Sequence, residues 1–260
     1  MKNILKFIFF ITVLTITGFD SIASEQSQKL LNPGWSFKGF FGKFDRSSLQ
    51  RGYQVYTEVC AACHSMKYLS YRNLTQQGGP EFSEDQAKII ASQFEVIDGP
   101  NSEGDMFTRP ARLSDNFVGP YDNEEAAKSA NGGAYPPDMS VLVKARKGGA
   151  SYIYSILLGY DDPPLDVSLE DGVYYNTYMS GNKIKMSKPL FENLVQYSDG
   201  TQATEEQMAK DVSTFLAWAA EPNLEQRHKM GFRAVLYLII ITILVYFSMK
   251  KIWSRIETDV

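Results

Sequence analysis

Two long, predominantly apolar runs lie near the ends of the chain, and apolar and polar residues are mixed in the part between them. The first run covers residues 7–19, follows Lys2 and Lys6, and precedes the small residues Ser21 and Ala23. A basic, apolar and small-residue series of this kind predicts a signal peptide over residues 1–23, cleaved after Ala23. The alternative is an uncleaved N-terminal anchor, for which the apolar run is short.

The second apolar run covers residues 232–249 and ends at a pair of lysines. About 20 residues at 1.5 Å each match the roughly 30 Å hydrocarbon core of a bilayer. The run predicts a connector and transmembrane anchor over residues 227–250, followed by a cytoplasmic tail over residues 251–260. The alternative, a buried core helix, would show a polar face. With an exported N-terminus, residues 24–226 form a domain outside the cytoplasmic membrane.

Between the two runs, apolar positions recur mainly at helical spacing. One predicted helix has Ser47 or Ser48 as its cap and ends at Cys60. The stretches S-E-D-Q and T-E-E-Q are capping boxes that start two more helices, the second of which is broken by Pro222. Period-2 alternation is short and scattered, which predicts a mainly α domain with long loops. The remaining predicted elements are short helices from Asn123, after Pro137 and over residues 151–158, and a small hairpin within residues 165–185.

Composition and charge narrow the class of protein. Hydrophobic residues make up 44% of the 260-residue chain, which excludes a disordered chain and is enough for one sizeable core. Residues 24–226 carry 27 acidic against 18 basic side chains, and acids cluster in residues 81–125 and 161–171. Such a surface repels nucleic acid and attracts basic proteins, although a solvated acidic face that only aids solubility has the same composition.

The candidate chemistry lies in C-A-A-C-H at residues 60–64, which holds both cysteines and one of the two histidines of the chain. C-x-x-C-H is the attachment signature of a c-type haem, in which two thiols form thioethers with the vinyl groups and the histidine binds iron. A thioredoxin-like pair would need a surrounding βαβ pattern, which the sequence lacks. A zinc site would need His228, far along the chain beside the apolar run.

The second axial ligand of such a haem is expected to be a methionine, which raises the reduction potential of the iron. Spacing does not choose among the methionines, and each could equally be ordinary core filling. The candidates are Met106, Met139, Met179, Met186 and Met208.

Five stretches in this order resemble the cytochrome c1 family, the haem subunits of cytochrome bc1 complexes. They are R-G-Y-Q-V-Y-T-E-V-C-A-A-C-H-S-M, D-G-P-N-S-E-G-D-M-F-T-R-P-A-R-L-S-D, N-G-G-A-Y-P-P-D-M-S, G-N-K-I-K-M-S-K-P-L-F-E-N-L-V and A-K-D-V-S-T-F-L-A-W-A-A-E-P. The resemblance covers nearly the whole chain after the predicted signal peptide and includes the single C-terminal span.

The resemblance implies one covalently bound haem c and a role for each residue of its site. Cys60 and Cys63 are then the thioether sites, and His64 is the proximal iron ligand. Met186 is implied as the distal ligand, with Met179 as the second choice. Two further pairs of residues are implied near the haem: Arg146 and Tyr152 near its propionates, and Pro136 and Pro137 against the ring.

The same resemblance implies the place of the chain in electron transfer. It implies an electron-transfer subunit of a bacterial inner-membrane quinol–cytochrome c oxidoreductase, with the haem domain in the periplasm and no catalysis by the isolated chain. Its partners are then cytochrome b and the Rieske iron-sulfur protein of the same complex, and a cytochrome c acceptor. The sequence departs from some relatives because it lacks an additional cysteine pair and a long acidic insertion. Two other classes stay open: a haem peroxidase or reductase with an open iron site, and a thiol oxidoreductase without haem.

Overall fold

The computed structural model of the chain describes residues 28–256, so the predicted signal peptide lies outside the described residues. Helices joined by long loops make up this part of the chain, which confirms the mainly α prediction. The α-helices are α1 (Arg46–Val55), α2 (Glu84–Ser92), α3 (Glu124–Ala130), α4 (Ala150–Leu158), α5 (Glu205–Ala220) and α6 (Leu224–Ile256). Shorter helical turns cover Tyr56–Cys60, Tyr71–Thr75 and Ser180–Asn182.

Two small antiparallel hairpins lie among the loops. Strand β3 (Tyr174–Tyr175) pairs with β4 (Lys183–Ile184), which confirms the hairpin predicted within residues 165–185. Strand β1 (Glu95–Asp98) pairs with β2 (Phe107–Pro110), with Glu95 opposite Pro110. This second hairpin was not predicted, because each strand has four residues and the stretches E-V-I-D and F-T-R-P do not alternate between apolar and polar residues.

The core forms where α1 and α5 cross. The two helices approach so closely that a Cβ on Gly52 would lie 2.1 Å from the backbone oxygen of Asp211. The Asp211 side chain is fully buried at this crossing, and it accepts hydrogen bonds from Ser48 Oγ at 2.6 Å and Arg51 Nε at 2.8 Å. A buried carboxylate is tolerated when such partners satisfy it, so the polar contact fixes the crossing.

The predicted caps Ser83, Asn123 and Thr204 each start a helix in the structure, whereas the predicted serine cap of the first helix differs. Ser83 caps α2 in a reciprocal capping box with Gln86, and Thr204 accepts a hydrogen bond from the Gln207 backbone N–H at the start of α5. Helix α1 is capped by Asp45 instead of Ser47 or Ser48, since the Asp45 carboxylate accepts hydrogen bonds from both serine backbone N–H groups. The Ser48 hydroxyl is already engaged with Asp211, so the prediction of a serine cap was wrong.

The helix predicted after Pro137 was also wrong, because residues 138–149 form successive turns. The Asp138 carboxylate accepts a hydrogen bond from the Ser140 backbone N–H, which favours a turn over a helix. Gly148 and Gly149 then adopt positive φ angles of 95° and 59°, which an α-helix cannot accommodate. Helix α4 begins directly after them, as predicted.

Helix α6 is the only helix within the described residues that is long and apolar enough to cross a membrane, over Leu224–Ser254. None of its apolar window is buried against the rest of the chain, so the alternative of a core helix does not hold. The helix continues to Ile256 and includes the connector and the first residues of the predicted tail.

Candidate functional site

The C-A-A-C-H stretch forms the end of the first long helical segment. Helix α1 passes into a π-helical turn at Tyr56–Cys60, in which the Ala61 backbone N–H donates to Tyr56 O at 2.8 Å. The backbone N–H groups of Cys63 and His64 then both donate to Cys60 O, at 3.1 and 2.9 Å. This tight turn holds the two half-buried, free thiols and the imidazole within one turn of backbone.

His64 is held in the form that binds a metal. Its Nδ1 lies 2.9 Å from Pro137 O, and a carbonyl oxygen only accepts, so Nδ1 carries the hydrogen. The lone pair of Nε2 is therefore free for an iron ion, as in most metal-binding histidines. Burial lowers the pKa of His64, with the contact to Pro137 acting weakly in the other direction. The neutral imidazole that coordinates metals is thus the favoured form.

The segment that carries Pro137 is fixed by Asp138. Its carboxylate Oδ2 accepts hydrogen bonds from Ser65 Oγ at 2.8 Å and the Lys67 backbone N–H at 2.9 Å. Burial would raise the pKa of Asp138, but the hydrogen bonds from Ser140, Lys67 and Ser65 together hold it below its ordinary value. The carboxylate therefore stays charged and ties the Pro136–Pro137 segment to the histidine. Asp138 was not identified from the sequence, although an aspartate directly after two prolines is typical of a turn in which the carboxylate accepts backbone N–H groups.

The cysteines do not have the properties of a redox-active thiol pair. Burial, with a smaller effect of Cys63, raises the pKa of the Cys60 thiol to about 12, so it is protonated at neutral pH. A thiol oxidoreductase needs a thiolate of depressed pKa, so this alternative loses support. Across residues 28–256 no group of three or more His, Cys, Asp or Glu side chains is arranged to hold a metal ion.

Met186 lies in the segment that follows β4 and is half-buried. Its side chain packs against the hydrophobic core. Cys60 and Tyr152 are also half-buried and pack against the same core. The Tyr160 hydroxyl donates to Met186 O at 3.0 Å, and burial raises the pKa of this phenol, so it remains a donor. Tyr160 also forms a β-bridge with the buried Asn176. Neither Tyr160 nor Asn176 was identified from the sequence, and no local pattern marks them.

The other candidate methionines differ from Met186. The Met179 sulfur accepts a hydrogen bond from the Tyr152 hydroxyl at 3.5 Å, while within residues 28–256 no hydrogen bond to the Met186 sulfur is found. Met208 and Met139 are buried in the core, and Met106 is exposed in the loop between β1 and β2. Met186 is therefore both adjacent to the core and free at its sulfur.

Arg146 is exposed in the turns before α4, and its guanidinium donates to Ala145 O at 3.2 Å. Tyr152 lies on α4, and Pro136 is half-buried while Pro137 is exposed. Within the described part of the chain, no hydrogen bond or ion pair joins Arg146 to Tyr152 or to residues 60–64. The structure therefore brings Pro137 to the histidine through its carbonyl and leaves Arg146 with free donors at the surface.

An acidic loop begins one residue after Tyr160, over residues 161–171. All five of its carboxylates are exposed, as is Leu165. Because Tyr160 bonds to the Met186 backbone, this loop starts beside the segment that carries Met186. The chain thus has a negatively charged surface near one side of the candidate site.

The chain is similar to known proteins over most of its length. A model of the Cytochrome C1 family matches residues 35–256. The chain is 46% identical over 250 residues to "Cytochrome c1 2, heme protein, mitochondrial" of Arabidopsis thaliana, covering 94% of this chain and 80% of that protein. It is 43% identical over 261 residues to "Cytochrome c1" of Rhodospirillum rubrum, covering 94% of both.

A third relative is named for the assembly to which it belongs. The "Cytochrome b-c1 complex catalytic subunit, mitochondrial" of Candida albicans is 48% identical over 224 residues, covering 86% of this chain and 77% of that protein. The family match takes in the C-A-A-C-H turn, the Met186 segment and the apolar helix together. The chain therefore belongs to the cytochrome c1 family.

Proposed function

We propose that Cys60 and Cys63 hold one haem c through thioether bonds, and that His64 and Met186 are its axial ligands. The chain then serves as the electron-transfer haem subunit of a respiratory ubiquinol–cytochrome c reductase. It receives one electron at a time from the Rieske iron-sulfur protein and passes it to cytochrome c. The haem supplies the reversible iron couple, and the protein neither makes nor breaks a bond during turnover.

The observation that carries the proposal is the hydrogen bond between His64 Nδ1 and Pro137 O at 2.9 Å. It sets the tautomer and orientation of an imidazole that follows two thiols in one turn, as a haem c ligand requires. Asp138 supports this bond from behind, since it ties the same segment to Ser65 and Lys67.

On the other face, Met186 suits the role of the distal ligand. The half-buried side chain adjoins the core, and the Tyr160 hydrogen bond restrains its backbone. A thioether ligand raises the reduction potential, which suits a carrier that accepts electrons from an iron-sulfur protein.

Arg146 and Tyr152 are proposed to lie near the haem propionates, with Pro136 and Pro137 against the ring. A guanidinium with free donors can pair bidentately with a carboxylate, and Arg146 uses one donor on its own chain. The Tyr152 hydroxyl is half-buried on α4 and could serve as a second donor if it exchanges the Met179 sulfur for a propionate oxygen.

The proposed setting is a bacterial inner membrane, with the haem domain in the periplasm and the C-terminus in the cytoplasm. Helix α6 supports a single-pass anchor, and the pair Lys250 and Lys251 marks its far end. The partners within the complex are cytochrome b and the Rieske protein, and the acceptor is a cytochrome c. The exposed acidic loop at residues 161–171 supports a basic acceptor and disfavours nucleic acid.

The test is a pair of methionine variants in the full chain. Met186→Leu should abolish the sulfur-to-iron absorption band, lower the reduction potential and open the iron to carbon monoxide. Met179→Leu is the matched control and should keep the band, since its sulfur accepts a hydrogen bond from Tyr152. If Met179→Leu lost the band and Met186→Leu kept it, the ligand would be Met179. Carbon monoxide binding to the unaltered protein would instead indicate an open iron site, as in a peroxidase.

A further inference from the structure

The loop at residues 36–43 presents two phenylalanines to solvent beside the anchor helix. Its sequence is S-F-K-G-F-F-G-K, and the exposed fractions of Phe40 and Phe41 are 56% and 74%. By contrast, the aromatic residues at the base of the loop, Trp35, Phe37 and Phe44, are buried in the core. The base therefore fixes the loop to the domain while its tip stays uncovered by the rest of the chain.

The loop is rigidly tied to the start of α6. The His228 imidazole Nδ1 lies 3.1 Å from Gly42 O, and Glu225 Oε1 accepts the Phe44 backbone N–H at 3.0 Å. Arg46 adds a bidentate pair to the same carboxylate, at 2.8 and 2.9 Å. A Cβ on Gly42 would lie 2.2 Å from Phe37 O, so only glycine permits this tight loop. These contacts set the height of the loop along the helix.

A third ring completes the surface. Phe232 on α6 lies with its ring centroid 6.4 Å from that of Phe40 and 6.0 Å from that of Phe41, which are 5.0 Å from each other. Phe232 itself is 47% exposed. We call these three residues the aromatic patch. It is continuous with the apolar surface of the helix.

The position of Phe232 along α6 gives the depth of the patch. Eighteen residues separate Phe232 from Lys250, which is about 27 Å of helix at 1.5 Å per residue. This length is close to the roughly 30 Å hydrocarbon core of a bilayer. With Lys250 at one boundary, the aromatic patch lies at the other, where aromatic rings are enriched in membrane proteins.

The charges around the patch favour a lipid surface. Exposed cations lie on both sides of it, and residues 36–44 contain no acidic side chain. Basic side chains near an anionic bilayer are attracted to its surface. The four cations are Lys38, Lys43, Lys229 and Arg233.

We propose that the loop at residues 38–43 inserts Phe40 and Phe41 into the outer lipid interface, as a second membrane contact beside the anchor helix. This inference rests on the membrane anchoring proposed above. A single helix leaves the attached domain free to tilt and to rotate about the helix axis. A second contact beside that axis restrains both motions and so fixes the orientation of the haem site relative to the bilayer.

The test uses spin labels on the full, haem-loaded chain in nanodiscs of phosphatidylcholine and phosphatidylglycerol. Both native cysteines are then thioethers, so Phe41→Cys and, independently, Phe40→Cys each give one labelling site. The ferrous protein is used to avoid a paramagnetic iron. We expect molecular oxygen to relax these labels more strongly than a water-soluble nickel chelate.

Two control variants calibrate the measurement. A label at Leu165→Cys reports the aqueous phase, and one at Ile239→Cys reports the middle of the span. If a loop label shows the same relaxation by oxygen and by the nickel chelate as the label at Leu165→Cys, the proposal is wrong. If a loop label is shielded from both reagents, the proposal is also wrong, and the loop contacts a protein partner. If the label at Ile239→Cys were exposed to water, the proposed membrane anchoring by α6 would be wrong instead. Labelling of the unaltered chain would show that the native thiols are free, which contradicts the proposed haem attachment.

Discussion

Single hydrogen bonds hold the two proposed axial ligands in place. His64 is oriented by Pro137 O, and the Met186 backbone by the Tyr160 hydroxyl. These bonds come from residues 73 and 26 positions away in sequence. Geometry at the iron is therefore set by loops that the core fixes, and small changes in those loops should show in the spectrum.

Tyr160→Phe tests this dependence on the distal side. The change removes one hydrogen bond of about 1 kcal/mol and keeps the ring, so the Met186 segment should detach more easily. We expect the sulfur-to-iron band to be lost at a lower temperature than in the unaltered protein, while the haem stays attached. Tyr121→Phe is the control, since it also removes one hydrogen-bonded phenol hydroxyl, here the one that accepts from Asn131 Nδ2. An unchanged melting of the band in Tyr160→Phe would show that this bond does not position the ligand.

At the level of elements, the sequence predicted those helix starts that depend on local hydrogen bonds. The capping residues Ser83, Asn123 and Thr204 each start a helix, because the side chain satisfies backbone donors of the first turn. The choice of Asp45 over Ser48 as the cap was missed because the Ser48 hydroxyl is engaged with Asp211, a contact between distant residues. No local pattern marked the π-helical turn at Tyr56–Cys60.

The candidate site divides in the same way. Cys60, Cys63 and His64 lie within one turn and follow from spacing alone, whereas Met186 is 122 residues from His64 and no spacing rule selects it. Only the resemblance to the cytochrome c1 family pointed to that methionine. Tyr160 and Asp138 depend on tertiary contacts, so they became visible only in the fold.

The crossing of α1 and α5 offers a test at this scale. Gly52→Ala would place a Cβ 2.1 Å from Asp211 O, so the helices must separate. Overpacking of this kind should lower the free energy of unfolding by about 1–3 kcal/mol, measured by chemical denaturation followed through circular dichroism. Gly231→Ala on α6 is the control because no atom lies within 4 Å of its added Cβ. Equal stability of the two variants would contradict the close crossing.

At the scale of the whole molecule, the charge distribution predicts that the rate of electron transfer to the cytochrome c acceptor depends on ionic strength. Raising ionic strength from about 0.01 M to about 0.15 M shortens the screening length from about 30 Å to about 8 Å. Electron transfer to a basic cytochrome c should then slow by about tenfold, since steering by the acidic surface weakens. A rate independent of salt would contradict acidic docking.

A charge variant locates that docking surface. Replacing Asp161 and Asp162 by asparagine should reduce the salt dependence, because both carboxylates are exposed beside the Met186 segment. The comparison removes the same number of charges elsewhere, by Glu192→Gln together with Glu206→Gln, both of which are exposed. An equal effect of both changes would indicate an effect of net charge alone.

The anchor and the haem domain act as one unit because Arg46 and Glu225 join α1 to the start of α6. The account of that unit depends on a covalent haem at the C-A-A-C-H turn. The most direct measurement is the mass of the peptide that contains Cys60 and Cys63, taken with a reduced-minus-oxidised spectrum, after expression in a host that attaches haem c. We predict a peptide heavier by one haem, with no free thiol and a c-type spectrum. A colourless chain with two unmodified thiols would contradict the account.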